Sequence, residues 1–105
     1  PPEPALATLR RLARLGEAAE VAPGRFLAAA VLPDLAAALV AARGPDGLVR
    51  PAPFRDAAGC GRNMAIVLLE WLDRLGVTVR RGEARLVRAD RLGRLAPPSA
   101  PVPGS

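Results

Sequence analysis

The sequence predicts a mainly α-helical domain that ends in a small β-hairpin, and three features of residues 53–87 lead to this prediction. A short polar helix is followed by a tight turn at residues 59–61 and then by a longer amphipathic helix. Two short runs that alternate apolar and polar residues come next and are joined by a turn at Gly82. This order is typical of a winged helix-turn-helix, which has a three-helix core and a β-hairpin wing.

The N-terminal part reads as the back half of a preceding module of the same kind. A helix is predicted over residues 4–15, and two strands over residues 17–22 and 26–31. The helix matches a later segment sixty positions on, at Leu9, Leu12, Arg14, Leu15 and Gly16 and at Leu69, Leu72, Arg74, Leu75 and Gly76. We therefore interpret residues 1–31 as the helix and wing of a module whose front half is missing, with an apolar face that leans on the next domain or stays partly exposed.

A complete winged-helix domain is predicted over residues 32–90. Its predicted elements are helices over 33–43, 51–58 and 62–75 and strands over 48–50, 77–81 and 84–88. The short strand over 48–50 can pair with the later hairpin. Residues 91–105 are rich in proline and poor in large apolar side chains, so we expect a disordered tail there.

The helix over residues 62–75 separates apolar from polar side chains when it is drawn at about 100° per residue. The arc that we expect to be buried contains Met64, Ala65, Leu68, Leu69, Trp71, Leu72 and Leu75. The opposite arc contains Arg62, Asn63, Ile66, Glu70, Asp73 and Arg74. Phe54, in the preceding helix, is the expected anchor of the same core.

Composition and charge exclude several functional classes. The 105 residues carry a net charge of +5, and all of the basic residues are arginine, whose guanidinium favours phosphate and carboxylate partners. The chain has no histidine, and Cys60 is its one cysteine, so we expect neither an enzyme nor a metal site. No run approaches the roughly 20 apolar residues of a membrane span. We expect a cytoplasmic monomer without a membrane partner.

One set of motifs resembles a known family. The pattern FRD…G-x-x-R…A-x-x-LLE-x-LDR-x-GVT-x-R…GE-x-R-x-V resembles the C-terminal winged-helix region of the selenocysteine-specific translation elongation factor, the SelB family, over about residues 33–88. Arg55 and Arg62 stand where the family has arginine. Residues 59–64 read Gly-Cys-Gly-Arg-Asn-Met, where the family's typical turn is Gly-Thr-Ser-Arg-Lys-Tyr.

The resemblance implies an RNA-binding function. Members of that family recognise an mRNA hairpin, the selenocysteine insertion element, which marks UGA for recoding during translation. The resemblance also implies that the ribosome and selenocysteyl-tRNA are partners of a longer protein, whose GTP and Mg²⁺ belong to upstream domains. This chain starts at Pro1 and has no G-x-x-x-x-G-K-[ST] loop, so we expect a fragment without a cofactor of its own.

The start of the helix over 62–75 is the predicted RNA contact. Its free backbone N–H groups and positive dipole end suit a phosphate, whereas Glu70 and Asp73 lie further along. The major groove of A-form RNA is too narrow for the helix to lie in lengthwise, so we expect the helix start to hold a hairpin loop. The predicted RNA-binding residues are Arg55, Cys60, Gly61, Arg62, Asn63, Arg80 and Arg81.

Two other functions remain open from the residues alone. The domain could be a DNA-binding transcriptional regulator, although Glu70 and Asp73 disfavour insertion of their helix into DNA, or a winged helix that contacts only proteins. Structural roles are also open for the predicted site residues. Arg62 could pair with Asp56, and the two wing arginines could be edge charges that block strand association.

Overall fold

The computed structural model describes residues 5–96, and this part of the chain is mainly helical with two small antiparallel sheets. The helices are α1 (Leu6–Arg14), α2 (Leu32–Ala42), α3 (Pro51–Ala58) and α4 (Arg62–Leu75). The strands are β1 (Ala18–Ala22), β2 (Arg25–Ala28), β3 (Leu48–Val49), β4 (Thr78–Arg81) and β5 (Ala84–Val87). The predicted fold class, a mainly helical winged helix-turn-helix, is confirmed.

Helices α2, α3 and α4 and the hairpin β4–β5 form the winged helix. Its sheet has the order β3-β5-β4, so the short strand β3 joins the wing as predicted. Leu48 pairs with Leu86, and Thr78 pairs with Val87. The division of the chain into a partial and a complete module stays a prediction.

Glycine ends both helices that frame the helix-turn-helix. Gly59 has φ 67° and Gly76 has φ 77°, a left-handed conformation that side-chain-bearing residues rarely adopt. At the end of α3 the Gly59 N–H donates to the Arg55 carbonyl at 2.9 Å. The chain therefore reverses within three residues before α4 begins.

The core lies beneath α4, on the arc that the sequence predicts. Its buried residues are Ala65, Leu68, Leu69, Trp71 and Leu72, and Met64 and Leu75 pack partly buried beside them. Phe54 from α3 is fully buried, as expected of the core anchor. Ile66, which the helical arc places among polar residues, is 40% exposed.

The hairpin β1–β2 packs on the second half of α4. Val21 of β1 is fully buried, and its carbonyl accepts a hydrogen bond of 2.7 Å from Arg74 Nη2. Helix α1 buries none of its residues; its Leu6 is 42% exposed, and Leu15, the residue that follows the helix, is 61% exposed. The expectation of a partly exposed apolar face in this region is met on α1.

Two predicted segments differ in the structure. The second strand ends at Ala28, and Ala29–Val31 form a 3₁₀ turn because the chain must bend into α2, where Pro33 has no N–H for a sheet. The expected disorder is wrong for residues 91–95, which belong to a second 3₁₀ segment, Ala89–Leu95. Leu95 is 1% exposed and belongs to the core, so burial holds this segment in place. The remainder of the predicted tail, 97–105, lies outside the described residues.

The second 3₁₀ segment also covers the end of α4. Arg91 Nη1 donates to the Gly76 carbonyl at 3.3 Å, and Arg94 Nη1 donates to the Leu75 carbonyl. These guanidinium groups satisfy carbonyls that a helix end leaves free, and their charge complements the negative end of the helix dipole.

Truncation of Leu72 tests the core. Leu72→Ala should lower the free energy of unfolding by about 2–5 kcal/mol, because a fully buried side chain leaves a cavity. Urea denaturation followed by circular dichroism measures the change. The matched control is Leu15→Ala at an exposed position, and equal effects of the two substitutions would contradict this description of the core.

A pair of glycine substitutions tests the contacts of Arg91 and Arg94 with the end of α4. Gly59→Ala and Gly76→Ala both force a side chain into a left-handed conformation, at roughly 1–2 kcal/mol each. Gly76→Ala should be the more destabilising, because its Cβ would lie 2.9 Å from Arg94 Nη1 and 3.0 Å from Arg91 Nη1, whereas nothing lies within 4 Å at Gly59. Equal melting temperatures for the two variants would contradict this expectation, because the two guanidinium groups would then give way to the added Cβ without a measurable cost.

Candidate nucleic-acid interface

An open groove of about 820 Å³ lies between α3, α4 and the wing. We call it the basic groove because six arginines line it: Arg50, Arg55, Arg62, Arg80, Arg81 and Arg85. Helix α3 supplies Arg55, the first turn of α4 supplies Arg62, and β4 and β5 supply the last three. The helix-turn-helix and the wing thus converge on one concave surface of positive charge, which attracts a polyanion.

The start of α4 projects beside this groove. Residues 60–63 form the tip, and Gly61, the residue before α4, provides no side-chain cap. The first backbone N–H to enter the helix ladder is that of Ala65, which donates to Gly61 at 2.9 Å. Gly61, Arg62 and Asn63 are exposed, so the free N–H groups and the positive dipole end of α4 are open to a ligand.

The structure brings four of the seven predicted site residues together in the basic groove: Arg55, Arg62, Arg80 and Arg81. Gly61 and Asn63 lie on the exposed tip beside it. Cys60 is half-buried and lines a separate apolar cleft of about 250 Å³, together with Leu27 and Met64. The thiol is therefore turned toward apolar neighbours and away from the other predicted residues.

The predicted arginines differ in whether their guanidinium groups already bind another group of the chain. Arg55 Nε lies 3.2 Å from Asp56 Oδ1, so Asp56 pairs with its neighbour and not with Arg62. Within residues 5–96, Arg62 makes no ion pair and no side-chain hydrogen bond. Arg80 Nε donates to the Gly82 carbonyl at 2.9 Å, across the turn of the wing. Arg62 is therefore the member of the set most available to a ligand.

Two groove arginines, Arg50 and Arg85, escaped the sequence prediction. Arg50 lies 2.9 Å from Asp46, and the hydrogen bonds from Arg50 and from the Leu48 N–H hold the pKa of the Asp46 carboxyl below its usual value. The four-residue spacing of Asp46 and Arg50 was the available signal. Glu70 also lines the groove, about two turns further along α4 than Arg62.

Asp73 corrects an expectation from the helical arc. It was placed on the solvent face, but Asp73 Oδ1 accepts a hydrogen bond of 2.6 Å from the Thr78 hydroxyl, and its Oδ2 lies 3.3 Å from Arg85 Nε. Arg85 is only 4% exposed and was not among the predicted site residues. The signal that could have found it is strand alternation, which puts Arg85 on the same face as buried Val87.

Within residues 5–96, no group of acidic, cysteine or histidine side chains could hold a metal ion, and no helix is both long and apolar enough to cross a bilayer. The side chains that line the basic groove offer hydrogen-bond donors and positive charge. Five exposed or half-buried guanidinium groups and a free helix start suit a ligand that carries several phosphates.

Comparisons with known proteins agree with this geometry. The family model described as "Elongation factor SelB, winged helix" matches residues 43–87, which contain α3, α4 and the wing. The selenocysteine-specific elongation factor of Escherichia coli K12 is 54% identical over 37 residues, which are 35% of this chain but only 6% of that protein. The chain thus spans a small part of this relative's length.

A solved structure extends the likeness to most of the chain. The mRNA-binding domain of elongation factor SelB from E. coli, determined in complex with SECIS RNA, matches with a TM-score of 0.72 and 34% identity. The match covers 79% of this chain and 69% of that domain. This fold similarity at this identity confirms the resemblance found in the motifs, and the chain belongs to the winged-helix region of the SelB elongation factor family.

Proposed function

We propose that this chain binds an mRNA hairpin, the selenocysteine insertion element, that marks UGA for recoding as selenocysteine. The observation that carries the proposal is the basic groove, where Arg55, Arg62, Arg80 and Arg81 lie together beside the exposed tip of α4. The similarity to a SelB domain solved with SECIS RNA supports the same ligand.

The proposed mode of binding follows from the shape of the ligand. Double-helical RNA has a deep, narrow major groove that cannot admit α4 along its length, whereas the unstacked bases of a loop are accessible. The tip can therefore hold the loop, with a phosphate on the free N–H groups and Arg62 beside it. The wing arginines then lie along the backbone of the adjoining stem, where they supply charge without reading sequence.

The proposal also covers the longer protein to which this chain would belong. A family member delivers selenocysteyl-tRNA to the ribosome through upstream domains that bind GTP and Mg²⁺, and we assign those partners and cofactors to the full-length protein. Its place of action is the cytoplasm, where translation occurs. For the chain itself we propose a binding role without catalysis and a monomeric state.

The DNA-binding alternative is the stronger of the other two candidates. Asp73 no longer argues against it, because Arg85 neutralises that carboxylate. Glu70 still does: it is exposed and lines the basic groove, so it would face DNA phosphates if α4 lay in a major groove. A purely protein-binding winged helix has no need of six arginines around one groove.

Removal of Arg62 tests the tip. Arg62→Ala should weaken binding of a hairpin taken from downstream of an in-frame UGA in the same genome by roughly tenfold, since a charge-assisted hydrogen bond is lost. The slope of log K against log salt should also become shallower by about 0.7–0.9. Fluorescence anisotropy at four salt concentrations measures both quantities.

The matched control for that experiment is Arg25→Ala. Arg25 is exposed and pairs with Ala22, beside the Val21 carbonyl that Arg74 contacts near the far end of α4. The Arg25→Ala substitution removes one positive charge at a position away from the tip, so it should leave the affinity for the hairpin nearly unchanged. Unaltered binding by Arg62→Ala, or an equal loss for both variants, would exclude the tip as the RNA contact.

A comparison of nucleic acids separates the three functions. The hairpin RNA should bind more tightly than a DNA duplex of the same stem sequence at about 150 mM salt, because the loop and not the stem is held. Competition anisotropy with both ligands measures the ratio. Equal affinity for the duplex would favour the DNA-binding alternative, and loss of both affinities at that salt would favour a protein-binding module.

A further inference from the structure

The floor of the basic groove differs from its rim. Arg50, Arg62, Arg80 and Arg81 are exposed along the rim, whereas buried Ala65 and Ala84 and half-exposed Ile66 give the floor an apolar surface. Arg85 is the one arginine of the groove that is buried among these residues. A charged group inside an apolar floor needs compensation, and the structure supplies it.

Two hydrogen bonds fix the guanidinium of Arg85, and a third holds its carboxylate partner. Its Nε lies 3.3 Å from Asp73 Oδ2, and its Nη1 donates to the Glu83 carbonyl at 2.8 Å. Thr78 holds the other oxygen of Asp73 at 2.6 Å. Nη2 makes no hydrogen bond within residues 5–96, and no buried side-chain nitrogen or oxygen there lacks a partner, so Nη2 keeps contact with solvent on a side chain that lines the groove.

The inner groove has little net positive charge in spite of Arg85. Asp73 neutralises this guanidinium, and the exposed Glu70 adds a carboxylate to the same groove. A phosphate would meet Glu70 and lose water against the apolar floor, whereas the rim offers it solvated arginines. A neutral, planar base with polar edges fits the floor better, because its face can lie on apolar side chains while its edge reaches Nη2.

We infer that Arg85 is a specificity contact: it donates a hydrogen bond from Nη2 to an acceptor on the edge of one unpaired RNA base that enters the groove. Asp73 and Thr78 are positioning residues that hold the guanidinium in that orientation. Glu70 favours a base that also presents an N–H or amino group. The inference rests on the proposed function and adds to it a residue that selects bases and contributes little to the overall electrostatic attraction.

Selection from a pool of RNA hairpins tests the inference. The pool has one constant stem and a fully randomised loop, and the proteins are the wild type, Arg85→Gln and Arg80→Gln. Arg80 is the matched control because it pairs directly with Arg85 across the strands β4 and β5 but is exposed. Sequencing of the bound RNA gives the base preference at each loop position, and anisotropy gives the salt dependence for the preferred hairpin.

The expected outcomes differ between the two arginines. Wild type should prefer one base at one loop position, and Arg85→Gln should reduce that preference by about tenfold while it leaves the salt slope unchanged. Arg80→Gln should keep the preference and flatten the slope by about 0.7–0.9, as expected for a phosphate contact. If Arg85→Gln keeps the wild-type preference, the inference is wrong, even though the proposed function stands.

Two further results separate the inference from the proposed function and from folding. If wild type enriches no hairpin at all, the proposed function fails and the inference fails with it. Arg85→Gln leaves Asp73 unpaired, so circular dichroism must show a folded protein. The double variant Asp73→Asn with Arg85→Gln removes both charges, and the same loss of preference is expected from it. Retention of the wild-type preference by a folded double variant would overturn the inference.

Discussion

The ion pair between Asp73 and Arg85 is the polar contact that links the helix-turn-helix to the wing. It joins the last turn of α4 to the central strand of the wing sheet, and Thr78 ties the same carboxylate to the neighbouring strand. Removal of one partner from a buried pair generally costs about 3–5 kcal/mol, because the other charge stays desolvated. The pair therefore links the end of α4 to the wing sheet beside the basic groove, which Arg85 also lines.

Local pattern was enough to predict most of the fold. The features that predict it are the apolar arc of α4, the proline at the start of α3 and the glycines that follow both helices. Each of them acts over a few neighbouring residues, so each can be recognised in the sequence alone. The segment Ala89–Leu95 could not be found in this way. It has little periodicity of its own, and its order comes from the burial of Leu95 in a core built by distant residues.

The candidate site shows the same difference between features that the local sequence predicts and features that depend on distant residues. Arg62 and the wing arginines were predicted from helix ends, hairpin alternation and the family motifs, and four predicted arginines do share one groove. The positions of Asp73 and Cys60 were predicted from the helix and the turn that contain them. The strand that contacts Asp73 and the cleft that Cys60 lines are formed by other parts of the chain, so the local sequence does not show them. Arg85 was overlooked for the same physical reason: its partner lies twelve positions earlier, across the turn at Gly76.

The return of the chain to the end of α4 has a practical consequence for biophysical work. Arg94 holds the segment before Ala96 against the Leu75 carbonyl, at the opposite end of a helix that is roughly 20 Å long by its 14 residues. Ala96 is exposed, so a fluorophore placed there would report on the domain without obstructing the tip.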